Sequence, residues 1–121
     1  MADAPRHPTV VRRSRDSRLA ELGGVGPFVR AYLRLVEVKC GEPTCHCATG
    51  KGHPSHYLVL KRDGKTQTRY VQKGRLEEVR EWLRQYKRVK RLVQEISDLT
   101  VELLVSEAHA RRKEKRRKRP S

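Results

Sequence analysis

All three cysteines of the 121-residue chain, and three of its five histidines, lie between positions 40 and 56. The stretch reads Cys40-Gly41-Glu42-Pro43-Thr44-Cys45-His46-Cys47-Ala48-Thr49-Gly50-Lys51-Gly52-His53, with His56 following shortly after. Thiolate sulfur and imidazole nitrogen are the donors of a closed, tetrahedral zinc site. Cys40, Cys45 and Cys47 supply three sulfurs, and His53 is the first choice for the fourth ligand. His56, at the start of a strand-like segment, and His46, between two cysteines, compete for that place. Gly41, Gly50 and Gly52 allow the positive φ values with which a chain wraps closely round an ion. The Cys-x-Cys pair at 45 and 47 chelates only from a non-helical loop, and Pro43 and Thr44 are expected to keep it so.

An odd cysteine count leaves one thiol outside any disulfide framework. The competing reading is a set of free thiols, or a redox pair, with no bound ion. A catalytic zinc keeps an open position and needs a base nearby. Glu42 is the only acid inside the stretch, so the pattern points to structural Zn2+. Elsewhere there is no carboxylate cluster, no glycine-rich phosphate loop and no nucleophile set beside a base. The chain therefore reads as a non-enzyme with no catalytic residues.

These ligands must be positioned by a small, core-poor domain. Only 36% of residues are hydrophobic and six are aromatic: one Trp, four Tyr and one Phe. Domains this short of core commonly need a staple such as a metal or a second subunit. The opening Met1-Ala-Asp-Ala-Pro-Arg-His-Pro has no apolar run, and nothing approaches the roughly 20 apolar residues of a membrane span. A cytoplasmic, reduced setting without membrane contact is expected, where clustered cysteines more often bind metal. The formal net charge of +15 implies a polyanionic partner, most commonly nucleic acid.

The expected fold class is α+β. A three-stranded antiparallel sheet carries the Cys/His knuckle and is followed by a long amphipathic helix. Residues 1–25 read as a flexible basic arm (Arg6, Arg12, Arg13, Arg15 and Arg18), with at most a helical turn over 17–22 before Gly23-Gly24. Residues 26–108 form the domain, and 109–121 a basic tail. A first strand runs over 29–39. The segment 56–71 reads as a hairpin about Asp63-Gly64, the pair suited to a type I′ turn. Tyr70 and Val71 are the residues its second strand offers to a core. From Arg75 onward, Leu76, Val79, Leu83, Tyr86, Val89, Val93, Ile96, Leu99 and Leu103 form one stripe at helical spacing. A small sheet is too short to cover it. The distal half must fold back, pair with another copy or meet the N-terminal segment, and Ser97-Asp98 is the place for a bend.

Cys40-Gly41-x3-Cys45-x-Cys47-x2-Gly50-x2-His53, followed by Tyr57-Leu58, Gly64-Lys65, Arg69-Tyr70-Val71 and Leu76-x2-Val79-x2-Trp82, resembles a small prokaryotic domain of unknown function. The resemblance runs from about Gly26 to Leu104. It implies the same knuckle, hairpin and long helix, with His53 at the family's histidine, and often a mobile-element setting. The chain departs from it at Pro54-Ser55-His56, where the family has Gly-Pro before Tyr, and at Gln72, where the family has proline. The strand, hairpin and helix also look like the arm-type DNA-binding domains of tyrosine integrases, by fold analogy alone.

Two roles follow. The first is a nucleic-acid-binding accessory or regulatory protein of a mobile element. Its partner is duplex DNA, held by Lys61, Arg62, Lys65, Arg69 and Lys73 around the hairpin and by Arg111, Arg112 and Lys113 in the tail. The second is an interaction module, with the long helix forming a homodimer or docking a transposase or recombinase.

Overall fold

The computed structural model describes residues 4–118. It contains helix α1 (Pro8–Gly23), strands β1 (Tyr32–Val38), β2 (His53–Arg62) and β3 (Lys65–Val71), and helix α2 (Leu76–Lys118). The class is α+β. The chain forms two compact units: Gly26–Tyr86, and Met1–Val25 together with Lys87–Ser121. Residues 1–3 of the expected arm and 119–121 of the expected tail lie outside the described residues.

In the first unit the sheet is antiparallel with order β1-β2-β3. Asp63 at φ 53° and Gly64 at φ 77° supply the two positive φ values of a type I′ turn, so Arg62 faces Lys65 directly. β1 is shorter than the apolar pattern suggested, and β2 begins three residues earlier, at His53 instead of His56. Val59, Val71 and Val79 are the buried aliphatic residues of the unit. Tyr70 does not join Val71 in the core: it is 61% exposed against 8% for Val71. Adjacent strand residues point to opposite faces, so Tyr70 and Val71 cannot pack into the same contact, and it is Val71 that is covered. The segment before β1 is tied to the start of α2. The Val29 amide donates to the Trp82 carbonyl at 3.4 Å, the Gly26 amide donates to Gln85 Oε1 at 3.2 Å, and Phe28 stacks on Tyr86.

In the second unit the segment expected as a flexible arm is helix α1. His7 caps it by accepting the Thr9 amide on Nδ1, and Pro8 occupies the first turn, where its missing N–H costs nothing. Among the recessed residues, Pro8, Val11, Arg15, Arg18 and Leu22 of α1 and Val89, Leu92, Ile96, Leu99, Leu103, Ser106 and Ala110 of α2 form one row each, flanked by half-buried Ser14, Glu21, Arg88, Glu95, Glu102 and Glu107. Both sets alternate steps of three and four, the spacing of a coiled-coil seam. Of the three ways to cover the distal stripe, this is the meeting with the N-terminal segment. Leu92 (fully buried), not Val93 (53% exposed), takes the inner place, because a 3.5-residue period advances differently from the one assumed. α2 runs through Ser97-Asp98 as helix and continues to Lys118.

Charge pairs line the seam: Glu21 with Arg88 and Arg91, Arg18 with Glu95, Arg12 with Glu107, and a two-pronged Arg6–Glu102 contact at 2.6 and 2.7 Å. The Arg6 hydrogen bonds hold the Glu102 carboxyl below the usual carboxylate range. Ser106, nearly fully buried, donates its hydroxyl to the Arg6 carbonyl.

Leu92→Ala should destabilise the helical unit by about 2–5 kcal/mol. Val93→Ala, one position along, should change it by less than about 0.5 kcal/mol. Urea unfolding followed by far-ultraviolet circular dichroism checks the contrast.

Candidate metal centre

The loop between β1 and β2 is closed at its base by the sheet. Val38 pairs with His53, so the chain leaves the ladder at Lys39 and re-enters at Gly52. Between them it makes a tight turn with Gly41 at φ 86° and a single 3-10 turn over His46–Ala48. This last turn differs from the irregular loop expected around the Cys-x-Cys pair. It buries Cys47 completely while leaving Cys40 exposed. The Cys45 amide donates to the Glu42 carbonyl at 3.1 Å, and the Ala48 amide to the Cys45 carbonyl at 3.0 Å.

The folding of this loop gathers four ligand atoms. The sulfurs of Cys40, Cys45 and Cys47 and a ring nitrogen of His53 all lie within 4.8 Å of one another. Cys40 Sγ is 3.4 Å from Cys47 Sγ, and Cys45 Sγ is 3.1 Å from His53 Nε2. Metal–sulfur bonds of about 2.3 Å and metal–nitrogen bonds of about 2.0 Å put the corners of a tetrahedron roughly 3.5–3.8 Å apart. The cluster has the donors and the dimensions for one metal ion. His46 stays at its edge, with Nδ1 3.9 Å from Cys45 Sγ and its ring edge-on to His53. His56 pairs with Leu35 and Val71 within the sheet and is not in the cluster.

The protonation balance within the cluster is uneven. A hydrogen bond from the Glu42 backbone, followed by those of Cys47, His53 and Cys45, pulls the Cys40 thiol down to about 6. Cys47 accepts the Cys40 amide at 3.5 Å, which favours its thiolate. Its desolvation and the adjacent Cys40 and Cys45 outweigh that, so its thiol is pushed up. Neighbouring thiolates disfavour one another, and a cation between them removes the conflict.

Gly52 has a role different from the one expected. Neither Gly50 nor Gly52 adopts positive φ. Instead, a Cβ at Gly52 would sit 2.8 Å from the Val38 backbone nitrogen and carbonyl carbon. Two backbones approach here as only glycine permits, and this close passage delivers His53 to the cysteines.

The basic residues singled out in the sequence fall into two places. Lys61, Arg62, Lys65 and Arg69 lie on the β2–β3 hairpin and Lys73 just beyond it, all exposed. Arg111, Arg112 and Lys113 lie on the last turns of α2, also exposed. Among the described residues none of these eight forms an ion pair, although Arg69 donates to Gln67 and to the Thr68 carbonyl. By contrast Arg75, Arg80, Arg84, Arg88, Arg91 and Lys118 are each neutralised by a glutamate. No described helix is long and apolar enough to cross a membrane.

The model of a domain of unknown function (DUF6788) matches residues 9–81. The chain belongs to this family. The DUF6788 match begins in α1, so the first helix lies inside the family's domain. It takes in the sheet and all four clustered ligands and ends in the first turns of α2. No curated protein and no solved structure matches the chain.

Gly52→Ala should force the β1 and β2 backbones apart at the loop's base and destabilise the sheet unit by about 1–3 kcal/mol. It should also expose Cys47 to a thiol reagent. Gly50→Ala, whose added carbon would meet only the His46 carbonyl oxygen at 3.4 Å, should do neither to a comparable degree. Thermal unfolding and the rate of thiol modification read the two effects.

Proposed function

We propose that this protein is a nucleic-acid-binding accessory factor, acting on DNA in a mobile-element setting and stabilised by one structural zinc ion. The observation that carries the reading is the sorting of its cations. Glutamates occupy the arginines along the first turns of α2 and along the helical seam. Among the described residues, Lys61, Arg62, Lys65 and Arg69 of the hairpin, Lys73 beyond it, and Arg111, Arg112 and Lys113 near the end of α2 have no carboxylate partner, whereas Lys118 pairs with Glu114. Unpaired cations on a chain of charge +15 repel one another until a polyanion screens them. A two-stranded ribbon fits the major groove, and the flanking Lys61, Arg62 and Lys65 reach phosphates from its turn.

The zinc assignment rests on the donor set. Three sulfurs and one nitrogen form a soft, closed ligand shell with no place kept for substrate, which suits a structural ion. In a unit whose buried aliphatic residues are three valines, a metal at the loop's base supplies stability that the core does not.

A second reading is favoured by one observation. Val93, Val101, Leu104 and Val105 of α2 are 53%, 59%, 71% and 53% exposed and lie at helical spacing along one side. Such a stripe suits a homodimer or a docked transposase or recombinase.

Elemental analysis of the purified chain should find about one zinc per molecule. Cys47→Ser should lose it and His56→Ala should keep it. Less than about half an equivalent in the unaltered chain would refute the assignment.

Binding to duplex DNA should weaken steeply with salt. Replacing both Arg62 and Lys65 with alanine should reduce the slope of log affinity against log salt by about 2. Arg80→Ala, which removes a cation paired with Glu77, should leave it unchanged. Affinity that is absent at low salt, or indifferent to salt, would reject the reading.

A further inference from the structure

Three of the chain's four tyrosines share one face of the sheet. Arg34, Tyr57 and Tyr70 form a row across all three strands, and Tyr32, Val59 and Thr68 form the next. Lys61 lies on the same face, opposite Thr66. No strand residue of this face is a carboxylate; Glu37, the acid of β1, points to the other side. Tyr32 and Tyr70 are each 61% exposed, and the Tyr57 ring meets Tyr70 edge-on at 5.7 Å. Beside them Arg34, Val36, Val38, Tyr57 and Thr68 line a shallow hollow of about 220 Å³, built from strand residues alone.

We propose that this face is a stacking platform for single-stranded DNA. The inference rests on the nucleic-acid reading above and adds which kind of strand meets the sheet. Exposed aromatic rings beside unpaired cations are what an unstacked strand needs. Every base has a π-face to lay on a tyrosine, and each base carries its phosphate past a basic side chain. Arg34 and Lys61 have no carboxylate partner among the described residues, so both are free to take phosphates. A duplex keeps its bases stacked inside and cannot use the rings. The hollow's floor is valine and tyrosine, with the Thr68 hydroxyl as its one short polar group. That floor accepts a pyrimidine methyl.

The test uses the full chain and fluorescence anisotropy with two probes, a twelve-nucleotide oligothymidylate and a duplex of the same length. Tyr32→Ala and Tyr70→Ala should each weaken oligothymidylate binding roughly fivefold or more. Duplex binding should change by less than about twofold, and Tyr70→Phe should restore the single-strand affinity. Should Tyr70→Ala lose the fold, Tyr70→Leu reads the same contrast, since it keeps apolar bulk without a ring. Duplex binding together with single-strand affinity that ignores the tyrosines would overturn the platform and leave the broader reading standing. Binding to neither probe at low salt would overturn both. A change in sedimentation coefficient on removing the tyrosines would show that the face pairs two copies of the chain and defeat the proposal. Tighter, tyrosine-dependent binding of an oligouridylate would defeat its assignment to DNA.

Discussion

Three sulfurs and an imidazole crowded within 4.8 Å of one another are the constraint on which the sheet unit depends. Left to themselves they do not agree on a charge state: Cys40 favours the thiolate, and the burial of Cys47 opposes it. A divalent cation is the group that lets all three sulfurs be ionised side by side. The geometry that creates the crowding also creates the fold. Bringing His53 to the cysteines requires the Gly52 backbone to pass against Val38, and the same passage sets Val38 opposite His53 in the ladder. Loop, ligand set and strand pairing are one arrangement described three ways.

The helical unit solves a different problem, that of building a seam from a sequence with little apolar material. α1 places Arg15 and Arg18 at recessed positions where a coiled coil ordinarily places aliphatic residues. Their stems can cover apolar surface while their heads seek partners at the edge. Arg18 finds Glu95, whereas the buried Nε of Arg15 has no hydrogen-bond partner among the described residues. Individually such exposed pairs contribute little, and the two-pronged Arg6–Glu102 contact is the best formed of them. Their larger effect is on orientation, since opposite charges at matched positions specify which way two helices run.

This explains what could and could not be read from the residues alone. The hairpin was legible because Asp63-Gly64 imposes its own geometry whatever surrounds it. The ligand cluster was legible in its residue types, though the need for Gly52 lay in a backbone contact that spacing does not reveal. α1 was illegible because its inner positions carry arginine, so no apolar stripe announces a helix and the segment resembles a solvated arm. Only its C-terminal stop at Gly23-Gly24 was visible. Along α2 the existence of a stripe was clear from Val79 to Leu103, but whether Leu92 or Val93 faced inward turned on a partner helix not apparent in the pattern. Tyr70 was misplaced for a related reason. Aromatic character suggested core, while the alternation of the strand puts Tyr70 on the face opposite Val71, where it is 61% exposed.

The two ends of β2 are therefore coupled in a way that neither shows alone. A strand's side chains repeat every two residues, so a slip of one position would exchange its faces. It would carry Tyr57 and Lys61 to one side and leave Tyr70 and Arg34 on the other. The type I′ turn fixes β2 against β3 at Arg62 and Lys65, and the loop that gathers the cysteines fixes β1 against β2 at Val38 and His53. The row of Arg34, Tyr57 and Tyr70 lies between these two anchors. An ion held by Cys40, Cys45, Cys47 and His53 would thus do more than staple a small domain. By locking the outer register, it would decide which face carries both the rings and the free cations, without itself touching whatever binds there.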